Sequence, residues 1–227
     1  MDADAQKRAA AEAAVALVAN GMVVGLGTGS TAAWFVRALA ARKLDIVGVA
    51  TSQATAELAA SLGIRIGELG ETKAIDLTVD GADEIGPGLS LIKGAGGALL
   101  REKLVWEASK SCVVIADAAK PVKTLGKFAL PIEVVAFGHK TTVGRIWDVL
   151  AEYEIGIGPM LRRKDGEAVR TDSGNLLYDV VCGRIEEPAA LAAALKSITG
   201  VVDHGLFLDL ADRALIGTDA GVIQLEP

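Results

Sequence analysis

The chain is poor in aromatic residues, histidine and cysteine, and each shortage excludes something. Aromatics make up 4% of its 227 residues. That is too few for the stacking platforms on which single-stranded nucleic acids are held. There are two histidines, His139 and His204. Neither lies near another candidate ligand in sequence, and no zinc or EF-hand spacing appears. The two cysteines, Cys112 and Cys182, sit in apolar, strand-like runs. They read as reduced core residues of a protein in a reducing compartment. No apolar run approaches the roughly 18 residues of a membrane span. The N-terminus is helical in pattern and begins acidic, unlike a signal peptide. Positive charge is not in excess either: 23 Lys and Arg stand against 29 Asp and Glu, a net charge of −6. Nucleic acid and anionic membrane are therefore not expected partners. A cytoplasmic protein acting on a small molecule remains.

Hydrophobic residues, at 51%, are abundant, and with so few aromatics the core must be Ala, Val, Leu and Ile. Residues 4–19 form an Ala-rich helical pattern stopped by Asn20-Gly21. Apolar runs at 22–27, 44–51, 74–79 and 111–117 alternate with helical patterns. Strands apolar on both faces between helices indicate an α/β fold with a doubly wound, mostly parallel, Rossmann-like sheet. From Pro131 the order becomes β-α-β-β-α-β, with Val201–Leu208 as its last strand, the arrangement of a smaller ferredoxin-like α+β domain. The expected division is 1–130 plus 209–227 for the α/β domain and 131–208 for the small one.

Two segments concentrate the chemistry, VDGADEI (79–85) and KGAGGALLREK (93–103). Asp80 ends a buried strand, where an acid is costly unless hydrogen-bonded or used. Asp80 and Asp83 flank Gly81-Ala82, as a plain turn or as working acids. Lys93 and glycines 94, 96 and 97 precede a helix carrying Glu102. Backbone amides and a lysine stabilise charge developing on an oxygen, and a carboxylate above it moves a proton. On pattern alone, Glu102 within Arg101-Glu102-Lys103 reads first as a solvated helix acid, since charge triplets are common. Lys93, Arg101, Lys103, Lys120, Lys123 and Lys127 form either a solvated basic face or a phosphate pocket.

The first glycine turn, Gly25 to Thr31, opens a helix whose N-terminus suits an anion. It is not a dinucleotide fingerprint, because position 30 is serine and the second strand, ending Val49-Ala50-Thr51-Ser52, lacks the ribose-binding acid. Ser30 and Thr31 offer hydroxyls to a phosphate or sugar, or cap the helix. Thr51, Ser52 and Thr55 form a capped turn or the rim of the same crevice.

GLGTGSTA, DGADEI, KGAGGALLREK and ADAAKPV, in this order and spacing, resemble the ribose-5-phosphate isomerase type A family. LGKFALPIEV, TDSGN, GLF and ALIGT extend the resemblance over nearly the whole chain. It implies interconversion of D-ribose 5-phosphate and D-ribulose 5-phosphate through an enediol(ate), without metal or organic cofactor. It implies Glu102 as the base, Asp80 assisting ring opening, and Asp83 and Lys93 binding the reacting oxygens. Further substrate contacts follow from Thr28, Gly29, Ser30, Thr31, Gly81, Ala82, Gly94, Ala95, Gly96, Lys120 and Lys7. Some members carry glycine where this chain has Ala95; a methyl leaves the backbone donors intact. A homodimer or homotetramer is implied. A sugar-phosphate sensor would need a DNA-binding helix-turn-helix, and a lactonase or amino-sugar deaminase a histidine-based site. The sequence offers neither.

Overall fold

The computed structural model of the chain describes residues 2–72 and 74–227. It begins with α1 (Ala3–Val15), β1 (Val23–Leu26), α2 (Ser30–Ala41), β2 (Val47–Ala50), α3 (Gln53–Ser61), β3 (Arg65–Ile66) and β4 (Leu77–Gly81). Two short strands follow, β5 (Glu84–Ile85) and β6 (Leu91–Ile92), then α4 (Leu99–Glu107) and β7 (Cys112–Asp117). Next come β8 (Leu130–Val134), α5 (His139–Glu152), β9 (Met160–Leu161), β10 (Arg163–Lys164), β11 (Glu167–Ala168) and β12 (Leu176–Val180). The chain ends with α6 (Pro188–Lys196), β13 (Val201–His204), β14 (Leu206–Phe207), β15 (Arg213–Thr218) and β16 (Gly221–Leu225).

Two compact units result. One comprises the chain up to Ala82, Arg101–Pro121 and Asp209–Pro227. The other comprises Asp83–Leu100 and Val122–Leu208.

The first unit holds a seven-stranded sheet in the order β16-β15-β7-β4-β1-β2-β3. Its strands are parallel except for β16, which turns back on β15. Every residue of β7 is buried, as expected for a strand covered on both faces. Alternate residues of β1 serve opposite faces. Val24 and Leu26 pack with Ala10, Ala14, Phe35 and Leu39 of α1 and α2. Val23 joins Val49, Ile75 and Val105 on the other side. The strand order reverses between β1 and β4, and in such sheets ligands bind beyond the strand C-termini at that point. Helix α1 starts where the Asp2 side chain accepts the Ala5 amide at 2.8 Å. It ends at Val15, short of the expected residue 19, because the Leu17 and Val18 amides bond to carbonyls only three residues back and tighten the chain into turns.

The second unit carries the four-stranded antiparallel sheet β13-β8-β12-β9, the strand order of a ferredoxin-like β-α-β-β-α-β unit. Helices α5 and α6 contribute Ile146, Leu150, Leu191 and Leu195 to a core shared with Ile132 and Val134. Residues 83–100 and 122–130, assigned from sequence to the larger domain, group with this smaller unit. The reason is a second sheet, β14-β6-β5. In addition, both carboxylate oxygens of buried Glu84 accept backbone amides, from Gly126 at 2.7 Å and Phe128 at 2.6 Å. The run 201–208, expected as one strand, is two. Gly205 separates them, its carbonyl accepting the Lys93 amide at 2.8 Å. A Cβ there would lie 2.2 Å from the Lys93 oxygen.

Candidate active site

At the C-terminal ends of β1 and β4, Asp80 is fully buried. Its Oδ1 accepts the backbone amides of Thr28 at 3.0 Å and Gly81 at 2.7 Å, and its Oδ2 accepts the Trp106 indole N–H at 3.3 Å. These donors answer the cost of burying the acid. Gly27 makes room for it: a Cβ at residue 27 would lie 2.2 Å from Asp80 Oδ1.

Trp106 sits one helical turn beyond Glu102 on α4, so the two side chains share a face. Glu102 is 3% exposed, whereas its neighbours Arg101 and Lys103 are half-buried. The solvated-acid reading therefore falls away. Glu102 also lies in the first turn of α4, where the helix dipole favours negative charge.

The glycine turn after β1 leads directly into α2. Gly29 caps that helix with φ +110°, a conformation suited to glycine. The first intrahelical bond is from Ala33 N–H to Gly29 O. The amides of Ser30, Thr31 and Ala32 thus precede the helix's own ladder, forming the donor set that anions use. Ser30 is exposed and Thr31 buried. The Thr28 hydroxyl turns inward, to Thr51 at 2.7 Å and Ser52 at 2.8 Å. Ser52 also caps α3 through the Thr55 amide, and the Thr55 hydroxyl donates to Gly27 O at 3.0 Å. Thr51, Ser52 and Thr55 are buried and brace the turn from behind, which is the capped-turn alternative.

Lys120 follows β7 on a turn closed by its own amide to Asp117 O. Gln6 of α1 reaches the same turn, accepting the Ala118 amide at 3.1 Å while donating to Asp219 at 2.7 Å. Lys7, next to it, is partly buried and pairs with Asp4 at 3.4 Å. Of the six basic residues noted in sequence, Arg101, Lys103 and Lys120 belong to this unit; Lys93, Lys123 and Lys127 belong to the other. Lys123 and Lys127 are exposed loop residues, whereas Lys93 is buried.

In the smaller unit, Asp83 Oδ2 accepts the Ala95 amide at 2.9 Å. Lys93 is 2% exposed, with its ammonium 5.4 Å from the centre of the Phe207 ring, within cation–π range. Gly94 and Gly97 have φ of +106° and +79°, and the Gly97 amide closes the loop onto Gly94 O at 3.0 Å. Arg162 donates to the carbonyls of Gly94 at 3.0 Å and Ala95 at 2.9 Å. Both histidines of this unit are structural: His204 lies between Ala192 O and the Leu206 amide, and His139 meets the Tyr178 hydroxyl.

Sequence reading missed Trp106, Gly27 as the space for Asp80, Phe207 and Arg162. Phe207 carried one signal, as part of the GLF segment. The others are linked to the site only by contacts between residues distant in sequence.

Fold and local geometry together define a doubly wound α/β protein with a buried acid, Asp80, at the end of β4 and backbone amides presented at the start of α2. Residues 47–221 match the family model of ribose 5-phosphate isomerase A (phosphoriboisomerase A). Ribose-5-phosphate isomerase A of Caulobacter sp. (strain K31) is 70% identical, with both chains covered in full. Ribose 5 phosphate isomerase A from Neisseria gonorrhoeae superposes with a TM-score of 0.91 at 37% identity, over 100% of this chain and 98% of that one. A D-ribose-5-phosphate isomerase solved in complex with phospho-erythronic acid gives 0.92 at 37% identity, both chains covered in full. The chain belongs to the ribose-5-phosphate isomerase A family.

Proposed function

We infer that this chain, as an isomerase of that family, interconverts D-ribose 5-phosphate and D-ribulose 5-phosphate through an enediolate, with Glu102 carrying the proton between C1 and C2. The observation that carries the reading is Glu102 itself: a buried carboxylate on the helix face that Trp106 ties to Asp80. In the aldose-to-ketose direction the base removes the C2 proton, the electron pair forms the C1–C2 double bond, and negative charge gathers on O1. The O2 hydroxyl proton passes to O1, which moves the negative charge to O2; return of the proton from Glu102 to C1, as C2=O2 forms, gives the ketose. Asp83, Lys93 and the 94–97 amides are assigned to the reacting oxygens, where removal of one such donor typically costs about 10²–10³ in rate. Asp80, held in one orientation by its donors, is assigned to ring opening. The α2 N-terminus with Ser30 and Thr31, together with Lys120 and Lys7, is assigned to the phosphate, whose binding energy aims C1 and C2 at the base. Thr28 acts through its amide contact to Asp80 and its bracing hydroxyl.

The relative's ligand supports this reading. Phospho-erythronic acid places a carboxylate at the end of a phosphorylated sugar chain, resembling the charge distribution of the enediolate. Cytoplasmic residence fits the thiols of Cys112 and Cys182, between which there is no disulfide. Assembly as a homodimer or homotetramer fits the exposed apolar side chains of Phe137, Trp147 and Met160.

The test is ketose formation from ribose 5-phosphate in the presence of EDTA. The wild type should convert substrate. Glu102→Gln should lose about 10²–10⁴ in kcat while still binding phospho-erythronic acid. No conversion by the wild type, or a Glu102→Gln variant that keeps its rate, would overturn the reading.

A further inference from the structure

We propose that Arg162, held by Asp179, is a positioning residue that fixes the direction of the Ala95 and Gly96 amides and, through Ala95, the orientation of Asp83. This rests on the reading that Asp83 and the loop amides bind the reacting oxygens.

Arg162 follows β9, and Asp179 lies on the paired strand β12 opposite Met160. The guanidinium uses two edges. Its Nε and Nη2 meet the two oxygens of Asp179, the first at 2.8 Å. That fork fixes the plane of the group and leaves Nη1 directed at Gly94 O and Ala95 O. The pair is largely withdrawn from solvent, with side-chain exposures of 17% and 23%, so salt screens it only partly.

Peptide geometry converts this contact into control of the amides. The described peptide bonds are all trans, and a trans peptide sets its N–H opposite its C=O. With the Gly94 and Ala95 carbonyls drawn to the guanidinium, the Ala95 and Gly96 N–H groups must face the other way. The Ala95 amide meets Asp83 there. One peptide group is thus gripped at its oxygen by a cation and at its hydrogen by an anion, which aligns its dipole and holds both ends. The segment needs this grip, because Gly94 and Gly97 sit at positive φ and glycine constrains its own backbone least. Lysine cannot replace the function: an ammonium lacks the planar fork that holds Asp179 while reaching two carbonyls.

The experiment compares Arg162→Met and Arg162→Lys with the wild type in kcat, KM for ribose 5-phosphate, calorimetric Kd for phospho-erythronic acid, and Tm. The expected result for Arg162→Met is a kcat lower by about 10–100-fold, since misplacement of about 1 Å suffices for such a loss. KM should stay within about threefold, because the phosphate contacts are untouched. Analogue affinity should fall by a factor similar to that in kcat, with Arg162→Lys in between. If Arg162→Met does not fold, Asp179→Asn, which weakens the fork without emptying the site, should show the same split to a smaller degree. The positioning role is overturned if these variants lower only Tm, leaving kcat per folded molecule and analogue affinity at wild-type values. That result, alongside an active wild type and an inactive Glu102→Gln, would leave the isomerase reading standing.

Discussion

Gly27→Ala places one methyl group against Asp80, a fully buried carboxylate that accepts two backbone amides and an indole N–H. The new Cβ would lie 2.2 Å from Asp80 Oδ1, 2.3 Å from its Cγ and 2.6 Å from its Cα. Ordinary contacts begin near 3.4 Å, so Asp80 must retreat by about 1 Å, and its backbone with it. Rotating the side chain cannot relieve a clash with Cα, so β1 and β4 must part locally. Overpacking of this kind costs about 1–3 kcal/mol. Losing a backbone amide bond to the carboxylate adds about 1.5–3 kcal/mol. Together they give about 2.5–6 kcal/mol, or a fall of about 5–24 °C in Tm for a chain of this size. Because Asp80 is displaced, kcat should fall by about 10² or more. The control is Gly29→Ala. Gly29 has φ +110°, but a Cβ there meets nothing within 4 Å; backbone strain of about 1–3 kcal/mol is the whole effect on stability, and Asp80 is not displaced. Thermal melts and steady-state kinetics on both variants decide the matter. A Gly27→Ala protein with wild-type Tm and kcat would refute the claim that Gly27 exists to admit Asp80.

Two further outcomes can be checked directly. Trp106→Phe removes the indole donor to Asp80 and leaves a gap in the core; it should lower stability by about 1–3 kcal/mol and kcat by about tenfold, and an unchanged kcat would show that the 3.3 Å contact does not orient Asp80. Burial pushes the Cys182 thiol up to about 12, so at pH 8 the folded protein should react with iodoacetamide about a thousandfold more slowly at this residue than the denatured chain does. The sign for stability follows: the neutral thiol favours the folded state fully below about pH 9, and that contribution is lost as pH rises through 12. Rapid native labelling of Cys182, read by mass spectrometry, would contradict the raised thiol pKa.

How far the sequence could be read depended on the range of the contacts involved. Strand β7 was legible because burial on both faces demands an unbroken apolar run, and residues 112–116 provide one before Asp117. Asp80 was legible because an acid ending such a run is conspicuous. The ferredoxin-like strand order was legible from turn signals such as Asp165-Gly166 and Ser173-Gly174. Strands β5, β6 and β14 have two residues each, too few for any periodicity to show. Missing them misplaced residues 83–100 and 122–130, because those strands attach that part of the chain to the smaller unit. Arg162 was invisible for a different reason: it stands 67 and 68 residues from the carbonyls it holds, and an arginine in GPMLRRK looks like any surface cation.

Glu84 of the smaller unit and Asp80 of the larger one are anchors, each held by backbone amides. Each oxygen of Glu84 accepts a backbone amide; although it is adjacent to Asp83, it serves to fix residues 126–128. Asp80 collects two amides and an indole, and such preset donors need no reorganisation when charge develops. An anchor is wired into the fold, so its substitution should depress stability and rate together, as argued for Gly27 and Trp106. A group whose task is to move a proton is different. Glutamine keeps the length and packing of glutamate and gives up the ionisable group, so it removes proton transfer without emptying the site. Glu102→Gln is therefore expected to lose the reaction while keeping Tm close to that of the wild type. A parallel fall of Tm and kcat in Glu102→Gln would instead class Glu102 with the anchors, and the base would have to be sought elsewhere.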